Sequence, residues 1–252
     1  MIPAALDRSV KGTNLKVSLL VTCLGDALFP DVGVATVRLL RRLGVEVDFP
    51  SAQTCCGQPH FNSGYHKDAR DLAKHTIKAF NNGQSVVAPS GSCATMVKVE
   101  YPELLKGDTL WRPKAEDLAR RTHELSDFLV NVLHVEDVGA RFEGKVTYHM
   151  ACHLRGLGSQ GEPERLLRAV RGLQLVPLER MDECCGFGGS FAVRYPGISG
   201  AMVGDKAALI EKTGADVVTA TDAGCLMNLA GCLRRRGSRV RVMHLAEVLE
   251  RT

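Results

Sequence analysis

The sequence predicts an α/β fold made of two pseudo-symmetric halves, each a mostly parallel sheet flanked by helices, with cysteines at the carboxyl ends of its strands. Three observations carry this expectation. Short β-prone apolar runs alternate with amphipathic helical patterns, the order that gives parallel sheets joined by right-handed crossovers. That order occurs twice along the chain. The cysteines repeat with it: Cys23 stands 32 residues before Cys55, and Cys152 stands 32 residues before Cys184. Each leads to a Cys-Cys-Gly triplet, Cys55-Cys56-Gly57 and Cys184-Cys185-Gly186, and one more cysteine follows, Cys93 and Cys225. Eight of the nine cysteines therefore fall into two matching sets of four.

In chain order, Leu15 to Thr22 is a short apolar run that ends at Cys23 and reads as a strand. Gly25, Pro30 and Gly33 mark a loop. Val34 to Leu43 carries apolar residues at helical spacing, with Gly44 as its stop. Val45 to Phe49 is a second strand, and the cysteine pair follows. Ser63 to Phe80 is an amphipathic helix closed by Asn81-Asn82-Gly83. Ser85 to Pro89 is a third strand leading to Cys93. Pro102, Pro113 and Gly139 punctuate a middle stretch with helical patterns at Lys114 to Arg121 and Glu124 to Leu133, which places a domain boundary between 1–139 and 140–252. The second half runs strand Lys145 to Met150 into Cys152, helix Pro163 to Val170, strand Leu173 to Pro177, the second pair, helix Ile198 to Lys212, strand Asp216 to Ala220 into Cys225, and strand Arg239 to Val242. Its end, His244 to Leu249, repeats the pattern of His123 to Leu129.

Composition sets outer limits. With 252 residues, 45% hydrophobic and 24% charged, the chain can bury one large or two small cores. A formal net charge of +4 is too mild to imply a nucleic-acid partner. The run Arg234-Arg235-Arg236 reads as a solvated helix end. Residues 1–14 lack the apolar core of a secretory signal, and no apolar run is long enough for a membrane span. A cytoplasmic location is expected, where clustered cysteines point to metal or redox chemistry before disulfides.

In sheets of this kind, ligands gather at the carboxyl ends of the strands. Every member of both sets follows a predicted strand, so each set can converge on one edge of its own sheet, giving one site per half. Thiolates suit iron–sulfur clusters and zinc alike, and ligand type does not separate the two. Gly57 and Gly186 suit the positive φ that a chain turning away from adjacent ligands requires. Cys232 falls on an apolar helical stretch and reads as core. His60, His149 and His153 lie near the sets, where each could ligate or donate a hydrogen bond to a cluster sulfur, the supporting role being the preferred reading; Arg155 and Arg194 are weaker candidates for balancing thiolate charge.

The doubled pattern, with Gly91-Ser92-Cys93-Ala94-Thr95-Met96 and Ala223-Gly224-Cys225-Leu226-Met227-Asn228, resembles the cysteine-rich CCG domains. These domains occur in the heterodisulfide reductases and in the iron–sulfur components of glycolate and glycerol 3-phosphate oxidation. The resemblance covers nearly the whole chain. It implies an iron–sulfur cluster in each half, of the [4Fe-4S] type, with zinc as the alternative at one site. The implied ligands are Cys23, Cys55, Cys56 and Cys93 in the first half, and Cys152, Cys184, Cys185 and Cys225 in the second. Among members of this family the chain is most similar to free-standing two-domain proteins of lactate utilisation. That likeness implies a non-catalytic electron-transfer subunit, working with companion iron–sulfur and lactate-utilisation subunits that oxidise L-lactate to pyruvate. The heterodisulfide reductase relatives end in Cys-x-x-Cys, where this chain has Met96 and Asn228, so a fifth thiolate and disulfide cleavage are not implied. No glycine-rich dinucleotide fingerprint is present, so hydride chemistry requires another subunit. The competing readings are a metal-stabilised scaffold or assembly protein without redox turnover and, third, a disulfide-reductase-like subunit.

Overall fold

A computed structural model describes residues 15–159 and 161–252. The segment 1–14, in which no secretory signal is expected, lies outside the described residues. The first half contains β1 (Lys16–Leu19), α1 (Cys23–Leu28), α2 (Pro30–Arg42), β2 (Glu46–Asp48), α3 (Gln58–Asn62), α4 (His66–Ala79), β3 (Ser85–Ala88) and α5 (Gly91–Thr95). A π-helical turn, Met96–Glu100, carries α5 into α6 (Tyr101–Leu104), and α7 (Arg112–Arg121), β4 (Thr122–Glu124) and α8 (Leu125–Asp127) follow, the last continued by a π-helical turn at Phe128–Val132. The second half contains β5 (Arg141–Tyr148), α9 (Cys152–Gly156), α10 (Glu162–Arg168), β6 (Arg171–Val176), α11 (Ser190–Arg194), α12 (Pro196–Lys212), β7 (Val217–Ala220), α13 (Ala223–Arg235), β8 (Arg241–His244) and α14 (Leu245–Glu250).

Two four-stranded sheets result, ordered β2-β1-β3-β4 and β6-β5-β7-β8. Every pairing within them is parallel. The α/β class and the internal repeat expected from sequence are both present. The strands read as apolar runs because helices cover both faces of a parallel sheet; all four residues of β7 are buried. On α2, Val32, Ala35, Leu39 and Leu40 are buried, the stripe that a 3.6-residue period places on one face. Pro30 opens that helix, where its missing N–H costs nothing.

Several expected bounds shift. The loop expected after Cys23 is helix α1, capped by the Thr22 hydroxyl, which accepts from the Gly25 N–H at 3.0 Å. The helix expected over Ser63 to Phe80 begins at His66, and a separate short helix, α3, precedes it. Strand β4 replaces the expected linker at Thr122 and His123 and the expected helix start at Glu124. A strand of three residues with no apolar alternation carries no period to read, yet its parallel pairing to β3 completes the sheet.

The core is shared. One buried cluster joins Leu39, Leu40, Leu125 and Phe128 of the first half to Val146, Leu166, Leu245 and Leu249 of the second. Two further clusters lie one in each half, the second containing Cys232 as expected. The helices cross reciprocally: α14 packs on α2 while its counterpart α8 packs on α10, and α13 packs on α1 while its counterpart α5 packs on α9. Such exchange is what an approximate two-fold axis between the halves produces.

Candidate metal centre

Each sheet changes direction beside its first strand, since β1 has β2 on one side and β3 on the other, and β5 stands likewise between β6 and β7. The crevice of such a sheet opens at that switch point. Cys23 and Cys93 follow the two strands that flank it in the first half, and Cys152 and Cys225 do so in the second. The reciprocal packing turns both crevices toward each other. All eight cysteines of the two sets, with Gln58, Ser92, His153, Phe187 and Asp222, therefore line one cleft of about 400 Å³. One site per half was expected; the two sets instead share a single opening, because the two-fold packing lays the sheet edges mouth to mouth.

In the first set the Sγ atoms of Cys23 and Cys55 are 3.6 Å apart, and those of Cys56 and Cys93 are 3.4 Å apart. In the second set a ring nitrogen of His149 and the Sγ atoms of Cys185 and Cys225 all lie within 4.8 Å of one another. Burial is graded: Cys23 is exposed, Cys55, Cys152 and Cys184 are half-buried, and Cys56, Cys93, Cys185 and Cys225 are buried. All are free thiols.

The local backbone explains the gathering. Gly57 and Gly186 have φ of 88° and 78°, the left-handed region expected for them. The turn points their N–H groups back at Cys55 Sγ and Cys184 Sγ, at 3.4 and 3.3 Å. A Cβ on Gly186 would sit 2.8 Å from the Ser199 carbonyl oxygen. The second cysteine of each pair is anchored through its carbonyl, Cys56 by the Tyr101 hydroxyl at 2.7 Å and Cys185 by the Asn228 amide at 2.8 Å. Asn228 thus has a structural task at the position where the heterodisulfide reductases carry a fifth cysteine. Met96 is fully buried in the first-half core.

The electrostatics repeat as well. Hydrogen bonds from Cys23 and Cys56, and then from Gly57 N–H, hold the Cys55 thiol well below its ordinary value. Cys152, Cys185 and Gly186 N–H do the same for Cys184. Their neighbours Cys23 and Cys152 are pushed up by donating to those sulfurs. Each set therefore presents one thiolate ready as a soft ligand.

The donors fit a metal centre. Free thiols converge from separate strands, and a tetrahedral ion with Zn–S bonds near 2.3 Å sets its sulfurs about 3.8 Å apart, close to the two spacings of the first set. The common cleft leaves space in front of them for a larger cluster.

Other candidates are placed as follows. His153 lines the cleft, with Nδ1 3.6 Å from Cys152 Sγ and Nε2 3.3 Å from Gln58 Nε2. His60 is exposed. Arg155 pairs with Asp182 at 3.3 Å, and Arg194 is exposed beside the Tyr195 ring. Neither arginine lines the cleft. Sequence reasoning misses Asp222, which is buried at 7% exposure and reaches across to the first half. Its Oδ2 accepts from Ser92 N–H at 2.8 Å, and its Oδ1 from the Ser92 and Ser90 hydroxyls at 2.9 and 3.3 Å. Burial pushes its carboxyl up, against those hydrogen bonds. Its place ahead of Cys225, matching Ser90 ahead of Cys93, is the only signal the sequence offers.

Residues 17–98 and 146–230 match the CCG cysteine-rich domain. The chain is 55% identical over 236 residues to lactate utilization protein A of Geobacillus thermodenitrificans (strain NG80-2), covering 93% of this chain and 98% of that one. It is 53% identical to lactate utilization protein A of Geobacillus sp. (strain WCH70), covering 93% and 99%. Among solved structures, a putative Asp/Glu racemase from Yersinia pestis aligns over 94% of this chain and 96% of that one, at 11% identity and a TM-score of 0.35. Among the described residues no helix is long and apolar enough to cross a membrane. With its duplicated cysteine-rich domain and its near full-length relatives, the chain belongs to the lactate utilization protein A family of CCG-domain proteins.

Proposed function

We propose that this chain is a cytoplasmic iron–sulfur electron-transfer subunit of a multi-protein system that oxidises L-lactate to pyruvate. The observation that carries the reading is the convergence of eight free thiols, four from each half, on one open cleft. In this reading units 1–139 and 140–252 each supply one ligand set: Cys23, Cys55, Cys56 and Cys93, then Cys152, Cys184, Cys185 and Cys225. When bound, an iron–sulfur cluster of the [4Fe-4S] type accepts and releases single electrons. The chain's own residues hold it: the glycine N–H groups stabilise thiolate charge, the anchored carbonyls of Cys56 and Cys185 fix the pairs, and the cleft mouth leaves one edge open to a partner. The family name supports lactate as the fuel and companion subunits as the partners. Zinc in one half is the second reading, favoured by the close sulfur spacing in the first set.

The test is anaerobic lactate-dependent dye reduction by the companion subunits, with and without this chain, alongside iron, sulfide and zinc analysis. The chain alone is expected to be inactive, because removing two electrons and two protons from a hydroxy acid needs an acceptor that a cluster does not provide. Adding it to its partners is expected to restore turnover. Full-rate turnover by partners lacking it, or lactate oxidation by the chain alone, refutes the proposal.

A further inference from the structure

Aligned on Cys23 and Cys152, the halves differ sharply at one buried position. Leu20 and His149 each follow the first strand of their sheet. Each donates its backbone N–H to the corresponding carbonyl of the neighbouring strand, Val87 and Thr219, at 2.9 Å in both halves. Leu20 is 2% exposed and packs in the buried cluster that contains Cys56 and Cys93. His149 is 0% exposed. Neither of its ring nitrogens makes a hydrogen bond of good geometry, the Met181 backbone offering only a weak one, and one of them stands with the sulfurs of Cys185 and Cys225 inside a 4.8 Å group.

A fully buried imidazole so poorly hydrogen-bonded is costly, and native proteins rarely keep one. The first half shows that leucine fills the equivalent space. Imidazole nitrogen and thiolate sulfur are compatible ligands for iron, zinc and cobalt. We infer that His149 is a nitrogen ligand of the second-half centre, joining Cys185 and Cys225, so that the two halves hold unlike centres: thiolate only in the first, mixed imidazole and thiolate in the second. The inference rests on the reading of the second-half cysteines as metal ligands, but not on electron transfer or on lactate. Of the two roles the sequence leaves open for His149, ligand or support, it takes the first.

The test isolates the second half by placing Cys55→Ser and Cys56→Ser in the full chain, which is then loaded anaerobically with cobalt(II) and compared with the same protein carrying His149→Leu. Leucine copies Leu20, so the fold has a precedent for it. Expected are an imidazole nitrogen hyperfine coupling by pulsed electron paramagnetic resonance, its loss in His149→Leu, and at least about tenfold weaker cobalt(II) binding. The inference is overturned by failure to bind cobalt(II), by absence of the coupling, by its survival in His149→Leu, or by its loss only in His153→Ala. A coupling present in the double-serine protein, while the unaltered chain fails to support lactate-dependent dye reduction, rejects the proposed function alone. Normal dye reduction by the unaltered chain, with no coupling in the double-serine protein, rejects this inference alone.

Discussion

Glu124 and His244 end the last strand of each sheet and cap the helix that follows. The Glu124 carboxylate accepts from Ser126 N–H at 2.7 Å, and His244 Nδ1 accepts from Ala246 N–H at 3.1 Å. The two positions correspond, but their titrations oppose each other. Burial pushes Glu124 up to about 7 and pulls His244 down to about 4. Glu124 binds its proton more tightly when folded, so its contribution to stability is full below the unfolded value of 4.5 and is lost as pH rises through 7. His244 binds its proton less tightly when folded, so its contribution is full above the unfolded value of 6.5 and is lost as pH falls towards 4. Where the windows overlap, the two slopes offset each other. In the metal-free Glu124→Gln variant, stability relative to wild type is expected to climb by about 3 kcal/mol across the carboxyl's range, at about 1.36 kcal/mol per pH unit. Urea midpoints of both proteins measured against pH check this, and parallel curves would refute it. Single residues also divide what sequence reveals. The positive φ of Gly57 and Gly186 follows from the adjacent cysteine pairs, whereas the burial of His149 against Cys185 and Cys225 shows only when the halves are aligned and Leu20 falls opposite it.

Helix α5 shows how an element can belong to one half in sequence and to both in structure. Its own cap is Ser90, which accepts from Cys93 N–H at 3.2 Å. From the second half, Asp222 takes the Ser92 N–H, and Thr95 donates its hydroxyl to the His153 carbonyl at 3.0 Å. Asp222 sits at the cap position of α13 yet makes no cap bond to that helix. Asp222→Ala would leave the Ser92 N–H and one of the two serine hydroxyls without an acceptor, since Ser90 and Ser92 Oγ also bond each other at 3.1 Å; at about 1–3 kcal/mol each, the expected loss is on the order of 2–5 kcal/mol. Asp222→Asn keeps one acceptor and should lose clearly less. Urea unfolding of both variants, with amide exchange at Ser92 and Cys93, measures the effect; exchange unchanged at α5 but faster at α13 would show an ordinary cap. Most elements are legible because parallel strands and their covering helices carry strong apolar periods. β4 is not, since Thr122-His123-Glu124 is held by its pairing to β3 and by a buried carboxyl, features without a period. The likeness between His123 to Leu129 and His244 to Leu249 marks the place where a strand has to enter the sheet.

At the scale of the molecule, the fold class and the doubling are legible, and the common cleft is not, because repeats within a chain do not say how two sheets face each other. That is decided by the shared core, where Leu39 and Leu40 of α2 meet Leu245 and Leu249 of α14 in one buried cluster. Arg42 adds a polar clasp, donating to the carbonyls of Leu249 and Glu250, both at 2.6 Å. Buried leucines are each worth about 1.5–3 kcal/mol, so either half alone would expose more apolar surface than it can carry. Segments 1–139 and 140–252 produced separately are expected to aggregate or remain unfolded, and together to form a one-to-one complex. Size-exclusion chromatography with light scattering decides; two stable monomers that ignore each other would refute a shared core.

The contact between Ser90 and Asp222 carries a historical consequence. The two residues hold corresponding positions and hydrogen-bond each other at 3.3 Å, which puts both at the axis between the halves. In an ancestor made of two identical chains, that residue would have met its own copy. Serine tolerates such a meeting, since one hydroxyl can donate while the other accepts. Two aspartates there would repel unless one carboxyl held a proton to share with the other. With both halves in one chain the partners at the axis are free to differ, and a carboxylate at 222 facing serine at 90 needs no shared proton.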